Sequence, residues 1–473
     1  MENYMTKKIS TLFFALILVL ATVFSLSSCL GTLGSVIAPS VSEGGDGSGD
    51  EGDPESGKPS DGSGSQNGTT SGETGDDQGG ETNGDTGNPG NGSGSGNGSG
   101  DQSGSGESGD NGNTEEEKPL EFYPGIGEVS ISGQNKALLS VVSIVSNFDV
   151  SYGRTQGSVG SGVIYKLDKE KGDAYIISNF HVVYNRYAVT DGGISDEIGL
   201  YLYGMELSDY RIDATYVGGS LTQDLAVLKV EGSEVLKNSY ARAADIGDSD
   251  DVAVLDQVIA IGNPEGFGIS VTKGIVSVDS ESLSMTGADG ITALDLRVIR
   301  VDAAINEGNS GGGLFDKNGD LIGIVNAKRT GSEVDNIGYA IPISYAKNFA
   351  ENIIYYCDGV SNTTVYKCLM GVTVTAKVLG VTVDEEGRLH KAEIVEIGEI
   401  TENSIASGKL LAGDRIVSVT IDGAKKDVSR IHHVIDSMLL ARVGSDITIE
   451  IVRGGETLIL EIEVTESALT EVK

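Results

Sequence analysis

Hydrophobic positions are spread unevenly along this chain. An apolar run from Ile9 through Phe24 follows a basic start at Lys7-Lys8. From Val41 to Thr114 the chain is then almost entirely Gly, Ser, Asn, Asp, Glu and Thr, without one aromatic residue. Beyond that stretch, short apolar runs recur at Val163 to Tyr165, Ala174 to Ile177, Leu225 to Val230, Val258 to Ile261, Ile275 to Val278, Leu296 to Val301 and Leu321 to Val325. Runs of this length, parted by Gly, Asn and Asp, read as strands. So many short strands predict a mainly β fold, a barrel or a sandwich. A helical patch covers Ile343 to Tyr356, and a second unit begins near Leu369, with a helix over Val428 to Ala441 and closing strands at Ile447 to Val452 and Thr457 to Val464.

The polar stretch cannot bury enough apolar surface to offset its ordering entropy, so it is expected to be disordered. As a Gly/Ser coil of about 75 residues it would span roughly 50 Å, a tether between the N-terminal segment and the folded part. Its acids supply much of the net charge of -37, which therefore describes a solvated linker. No basic face is offered to a phosphate backbone, so nucleic acid is not an expected partner.

The candidate chemistry centres on Gly308-Asn309-Ser310-Gly311-Gly312. Such a turn can expose the serine hydroxyl and aim the N–H groups of Gly308 and Ser310 the same way, as an oxyanion hole requires. An ordinary loop has the same composition, so the rest of the constellation must decide. A serine needs a base to take its proton. Of four histidines, three lie beyond residue 389, and the fourth, His181, ends the predicted strand Ala174 to Phe180. A third group should fix the imidazole tautomer, which is work for a carboxylate. Asp224, directly before Leu225-Ala226-Val227-Leu228, completes the order His, Asp, Ser.

In these residues the chain resembles the HtrA/Deg family of trypsin-like serine proteases. The matching segments are Gly160 to Ile164, Ser178 to Val183, Asp224 to Val230, Ala260 to Pro264, Val271 to Ser277, Asp302 to Asn306, Gly308 to Gly312 and Gly338 to Pro342, in the family's order. The resemblance implies a chymotrypsin-like double β-barrel, with His181 (general base) and Asp224 (its orienting acid) from the first barrel and Ser310 (nucleophile) from the second. It also puts Ala304 and Ile305 at the base of the primary specificity pocket, with aliphatic substrate residues preferred. Phe122-Tyr123-Pro124 falls where the family builds a homotrimer. Neutral Asn309 cannot pair with a newly cut amino terminus, which implies control by loop ordering instead of zymogen cleavage. Gly313 stands where the family usually has proline or alanine, and its flexibility would loosen the following strand.

Leu369-Met370-Gly371-Val372 resembles the carboxylate-binding loop of a PDZ domain, and Leu410 to Ile416 its "aGDri" turn; a small α+β domain without a ligand is the alternative. His432 and His433 lie in the expected helix, where neighbours do not share a face, so no metal site is expected and surface or groove positions suit them better. Leu26-Ser27-Ser28-Cys29 resembles a bacterial lipobox, which implies lipidation at Cys29; a plain transmembrane anchor is the alternative. Cys357 and Cys368 are then left as a disulfide or as two free thiols. The expected organisation is a signal peptide and lipobox over 1–29, a linker over 30–118, a protease domain over 119–356 and a PDZ domain over 366–467. The chain reads as a lipid-anchored endopeptidase of the bacterial cell envelope without a cofactor. It would cleave misfolded or processed proteins, and its PDZ domain would hold peptide C-termini. A peptide-binding scaffold or chaperone, or a protease for one regulatory partner, are the alternatives.

Overall fold

Strands β1 (Val141–Val150), β2 (Arg154–Asp168), β3 (Asp173–Ser178), β4 (Glu197–Leu202), β5 (Ile212–Ser220) and β6 (Leu225–Val230) close into an antiparallel barrel in the order β1-β2-β3-β6-β5-β4. A second barrel follows, of β7 (Gln257–Gly262), β8 (Ser270–Thr286), β9 (Ala293–Val301), β10 (Gly313–Asp316), β11 (Leu321–Asn326) and β12 (Gly338–Pro342), in the order β10-β11-β12-β9-β8-β7. This is the mainly β, double-barrel architecture expected from the sequence. The computed structural model describes residues 131–205, 210–327, 337–357 and 364–472. The N-terminal apolar run, Cys29, the polar linker and Phe122-Tyr123-Pro124 lie outside the described residues. Among the described residues, no helix is long and apolar enough to cross a membrane.

Strands β6 and β11 are apolar on both faces because each serves two cores. In β6, Ala226 and Leu228 fill the first barrel, while Leu225 and Val227 turn to a separate cluster shared with Phe315 and Ile324 of the second. In β11, Ile322 and Val325 fill the second barrel, and Leu321 and Ile324 join that shared cluster. Burial on both faces explains why these runs do not alternate with polar residues. Helix Ile343–Tyr356 caps the shared cluster with Ile343, Ala346, Phe349, Ala350 and Ile353, a stripe at helical spacing.

One hydroxyl stitches the barrels together under the glycine-serine turn. Ser161 Oγ, on β2, donates to the Gly308 carbonyl at 2.7 Å and accepts from the Asn263 N–H at 2.8 Å, while the Ser161 N–H donates to the Ser310 carbonyl at 2.8 Å. Ser161→Ala would keep the last bond but strand a buried N–H and a carbonyl. Such losses cost about 1–3 kcal/mol, and urea unfolding of the variant should show a drop in that range. Gly313 is a tight fit and not a loose joint, since a Cβ there would lie 2.3 Å from Phe315 Cε2.

The C-terminal part holds β14 (Val372–Val383), β15 (Leu389–Ile400), β16 (Arg415–Ile421), β18 (Asp446–Arg453) and β19 (Glu456–Glu463) in one antiparallel sheet, with β17 (Ala424–Asp427) paired to β16. Strands β13 (Val365–Cys368) and β20 (Leu469–Val472) form a separate pair. The sheet's inner face and helix Ile431–Ser437 enclose a core of Val395, Ile397, Ile416, Val419, Ile449 and Val434. Ion pairs bind this part to the second barrel and to the loop leading into it: Arg297 to Asp436 at 2.5 Å, Arg430 to Asp279 at 2.7 Å and, on the loop, Arg388 to Asp251 at 2.7 Å.

Two expectations change here, and one open alternative is decided. The helix expected over Val428 to Ala441 is confined to Ile431–Ser437: the Val428 N–H is taken by the Val417 carbonyl, and the chain past Ser437 tightens into i to i+3 bonds. His432 and His433 are buried, not surface residues, and burial pushes the His432 imidazole down to about 4 and His433 in the same direction. Of the two alternatives left for Cys357 and Cys368, the structure has free thiols. Cys357 packs against the cluster shared by the barrels and Cys368 is buried in the C-terminal core, so each is committed to a different interior.

Candidate active site

His181 sits on a one-turn helix, Phe180–Val183, that follows β3. Packing sets that turn close to β2: a Cβ on Gly160 would meet both Val182 methyls at 2.6 Å, so only glycine lets the helix lie there. Asp224, just before β6, holds the turn from below. Its Oδ1 accepts the His181 backbone N–H at 3.1 Å, and its Oδ2 faces His181 Nδ1 at 2.8 Å. The Asp224 side chain is 3% exposed and its backbone is left-handed, with φ 48. Strain of that kind, in a residue fixed by its surroundings, is common at functional sites.

Asn326, the last residue of β11, donates from Nδ2 to Asp224 Oδ2 at 2.9 Å, so the carboxylate gathers donors from both barrels. Sequence reading missed this residue. The available signal was a buried amide ending a strand that is otherwise wholly apolar, where a polar group needs a partner. Because an ionised carboxylate can only accept, Nδ1 carries the imidazole proton and Nε2 is left with its lone pair. That is the base-competent tautomer.

Ser310 lies on the turn before β10. Gly311 has φ 83, and a Cβ there would sit 2.1 Å from the Ser161 carbonyl oxygen, so the turn closes against β2 only with glycine. Gly308 is also left-handed, with φ 93. Among the described residues, no protein acceptor takes the N–H of Gly308 or of Ser310. Ser310 Oγ accepts from the Ala327 N–H at 3.2 Å, and no hydrogen bond joins it to His181. The two side chains do line one cleft of about 550 Å³, together with Val159, Tyr184, Glu307 and Gly308.

Ala304 and Ile305 are not among the residues lining that cleft. Ala304 is exposed and its carbonyl accepts from Thr272 Oγ1 at 2.9 Å, while Ile305 packs against the core of the second barrel. Of the expected carboxylate loop, Leu369 is exposed, Met370 is buried and Gly371 turns the chain at φ 77 into Val372, the first residue of β14. None of these four residues lines the cleft.

A double barrel with a histidine–aspartate pair and a serine in one cleft defines a trypsin-like serine protease. A model of the trypsin-like peptidase domain matches residues 160–324. The Bacillus subtilis (strain 168) serine protease Do-like HtrB is 30% identical over 346 residues, 68% of this chain and 68% of that protein. HtrA of the same organism is 40% identical over 202 residues, which is 42% of this chain and 40% of that protein. The periplasmic serine endoprotease DegP of Escherichia coli (strain K12) is 30% identical over 320 residues, 67% of this chain and 58% of that protein. The chain thus spans between two fifths and two thirds of the length of these relatives. It belongs to the HtrA/Deg family of serine proteases.

Proposed function

We propose that this chain is a serine endopeptidase acting outside the cytoplasm on misfolded or processed proteins. Ser310 Oγ attacks the scissile carbonyl, and His181 Nε2 takes its proton. The N–H groups of Gly308 and Ser310 receive the developing oxyanion. His181 then passes its proton to the leaving amine, and a water activated by the same imidazole hydrolyses the acyl-enzyme. Asp224, steadied by Asn326, stabilises the imidazolium in between. The observation that carries this reading is the His181–Asp224 pair at 2.8 Å opening on the cleft that holds Ser310. Catalytic contacts in a free enzyme often tighten only when substrate binds, so the absent Ser310–His181 bond suits a site completed by its substrate.

Residues 119–356 would be the protease domain and 366–467 a PDZ domain. The support for the latter is that β14, led in by the Gly371 turn, ends the order of its sheet, so its outer edge can accept the last residues of a peptide as an added strand. Lipidation at Cys29 and a homotrimer built through Phe122-Tyr123-Pro124 complete the proposal, as does action in the bacterial envelope, where DegP of Escherichia coli is described as periplasmic.

A fluorophosphonate probe tests the enzyme reading, because it reacts only with an activated serine. Stoichiometric labelling of the full chain at Ser310, located by peptide mass spectrometry, is expected. A folded protein that stays unlabelled in the presence of an unfolded substrate would favour the scaffold reading.

A further inference from the structure

The loop between β6 and β7 carries Asp250 to the face on which the C-terminal part is docked. His432 Nε2 stands 3.6 Å from Asp250 Oδ1, and His433 Nε2 stands 3.8 Å from Asp250 Oδ2, both beyond hydrogen-bonding reach. The three ligand atoms all lie within 4.8 Å of one another. In a tetrahedral zinc site with bonds of 2.0–2.1 Å, neighbouring ligand atoms are about 3.4 Å apart. The cluster is therefore slightly open but of the right size. Although adjacent on one helix, the two imidazoles bend to the same point, with ring centroids 4.6 Å apart and edge to face.

His433 is the telling residue. It is 5% exposed, and its Nε2 is buried without a hydrogen-bond partner. Its Nδ1 lies 3.1 Å from the Asp427 carbonyl and 3.3 Å from the Ser429 N–H. The first contact calls for a proton on Nδ1 and the second, in which the Ser429 N–H donates, for a lone pair there; in both tautomers Nε2 faces Asp250 without a hydrogen-bond partner, and the Nδ1–H tautomer is the one that can ligate an ion through Nε2. A carbonyl behind a histidine is the usual outer support of a metal-bound imidazole. A buried ring nitrogen with no hydrogen-bond partner is otherwise a cost without a return.

We propose that Asp250, His432 and His433 form a binding site for a borderline divalent transition metal ion, zinc above all, that staples the C-terminal part to the second barrel. Imidazole and carboxylate together suit zinc better than magnesium or calcium. A fourth position opens onto an adjoining cavity of about 480 Å³ lined in part by His433, Lys426 and Asp436, from which water can complete the set. Lys426 Nζ holds Asp250 Oδ2 at 2.7 Å and has to give way; its side chain is 36% exposed, so the ammonium can swing into solvent. Arg297 is held mainly by Asp436 at 2.5 Å, and its Nη1 also stands 3.7 Å from Asp250 Oδ1, the carboxylate oxygen that the ion does not use. Ser344 Oγ can keep its 3.0 Å bond to Asp250 Oδ1 while the ion uses the other oxygen.

The test is titration of the full chain with zinc chloride at pH 7.5, followed by calorimetry and by thermal unfolding. One ion per chain with a dissociation constant of micromolar or tighter is expected, with a rise in the unfolding midpoint. His433→Ala should weaken binding at least a hundredfold. Should that variant fail to fold, the nearly isosteric Asp250→Asn should still weaken it at least tenfold. Lys426→Met removes the competing ammonium and should tighten binding, a change of sign that a purely structural role for these residues would not produce. His181→Ala and His390→Ala should leave the affinity unchanged. No bound zinc, or equal affinity in wild type, His433→Ala and Asp250→Asn, would overturn the proposal.

Discussion

Ser310→Ala is expected to abolish cleavage of an unfolded substrate such as casein, a fall on the order of 10⁵ to 10⁶ in kcat. The cause is chemical. The variant keeps the left-handed Gly308 and Gly311, the Ser161 stitch and, within the cleft, the N–H groups expected to hold an oxyanion, while it loses the hydroxyl proposed to form the acyl bond. Its folding cost should be small, since Oγ accepts one hydrogen bond, from Ala327, and fills little volume. His181→Ala should fall nearly as far. The double variant should be no worse than either single one, because a base without its nucleophile has nothing to deprotonate. Initial rates of peptide release, with circular dichroism to verify the fold, would decide it. Retention of most activity by either variant would sink the assignment of Ser310 and His181.

The sequence made much of this arrangement legible, for a physical reason. Strands β6 and β11 serve two cores, so Leu225 to Val230 and Leu321 to Val325 are unbroken apolar runs, and the polar residues at their ends stand out. Asp224 stands out in this way. Asn326 ends β11 by the same logic, but an amide has no signature chemistry, and only the fold brings it 2.9 Å from Asp224. Long-range pairing also hid Asp250, because the loop that sets it beside His432 and His433 lies far from them in the chain. Burial of these histidines was equally invisible, because their helix is amphipathic only in relation to a neighbour the sequence does not show. The choice between a disulfide and free thiols stayed open for a complementary reason. An even pair flanking the linker allows either, whereas packing places Cys357 and Cys368 against separate cores.

Asp224→Asn should reduce kcat at neutral pH by about 10⁴-fold while leaving the fold intact. Asparagine is among the few residues that tolerate a left-handed backbone, so φ 48 at this position is no obstacle. Hydrogen bonding is the obstacle. The carboxylate now accepts three donors: the His181 backbone N–H on Oδ1, and His181 Nδ1 and Asn326 Nδ2 on Oδ2. An amide has one oxygen and one NH₂ to divide among them. If its oxygen keeps the backbone N–H, the NH₂ faces Nδ1, which must then accept and pass its proton to Nε2, the atom that should receive the proton of Ser310. If its oxygen instead faces Nδ1, the His181 N–H is left buried against a second donor, and the helix that carries the base is loosened. The first arrangement gives a well-folded but misprotonated site, and it can be recognised by proton NMR: the strongly deshielded Nδ1–H signal expected of the wild type should vanish. A variant that kept this signal and cleaved casein at the wild-type rate would show that Asp224 does not orient the base.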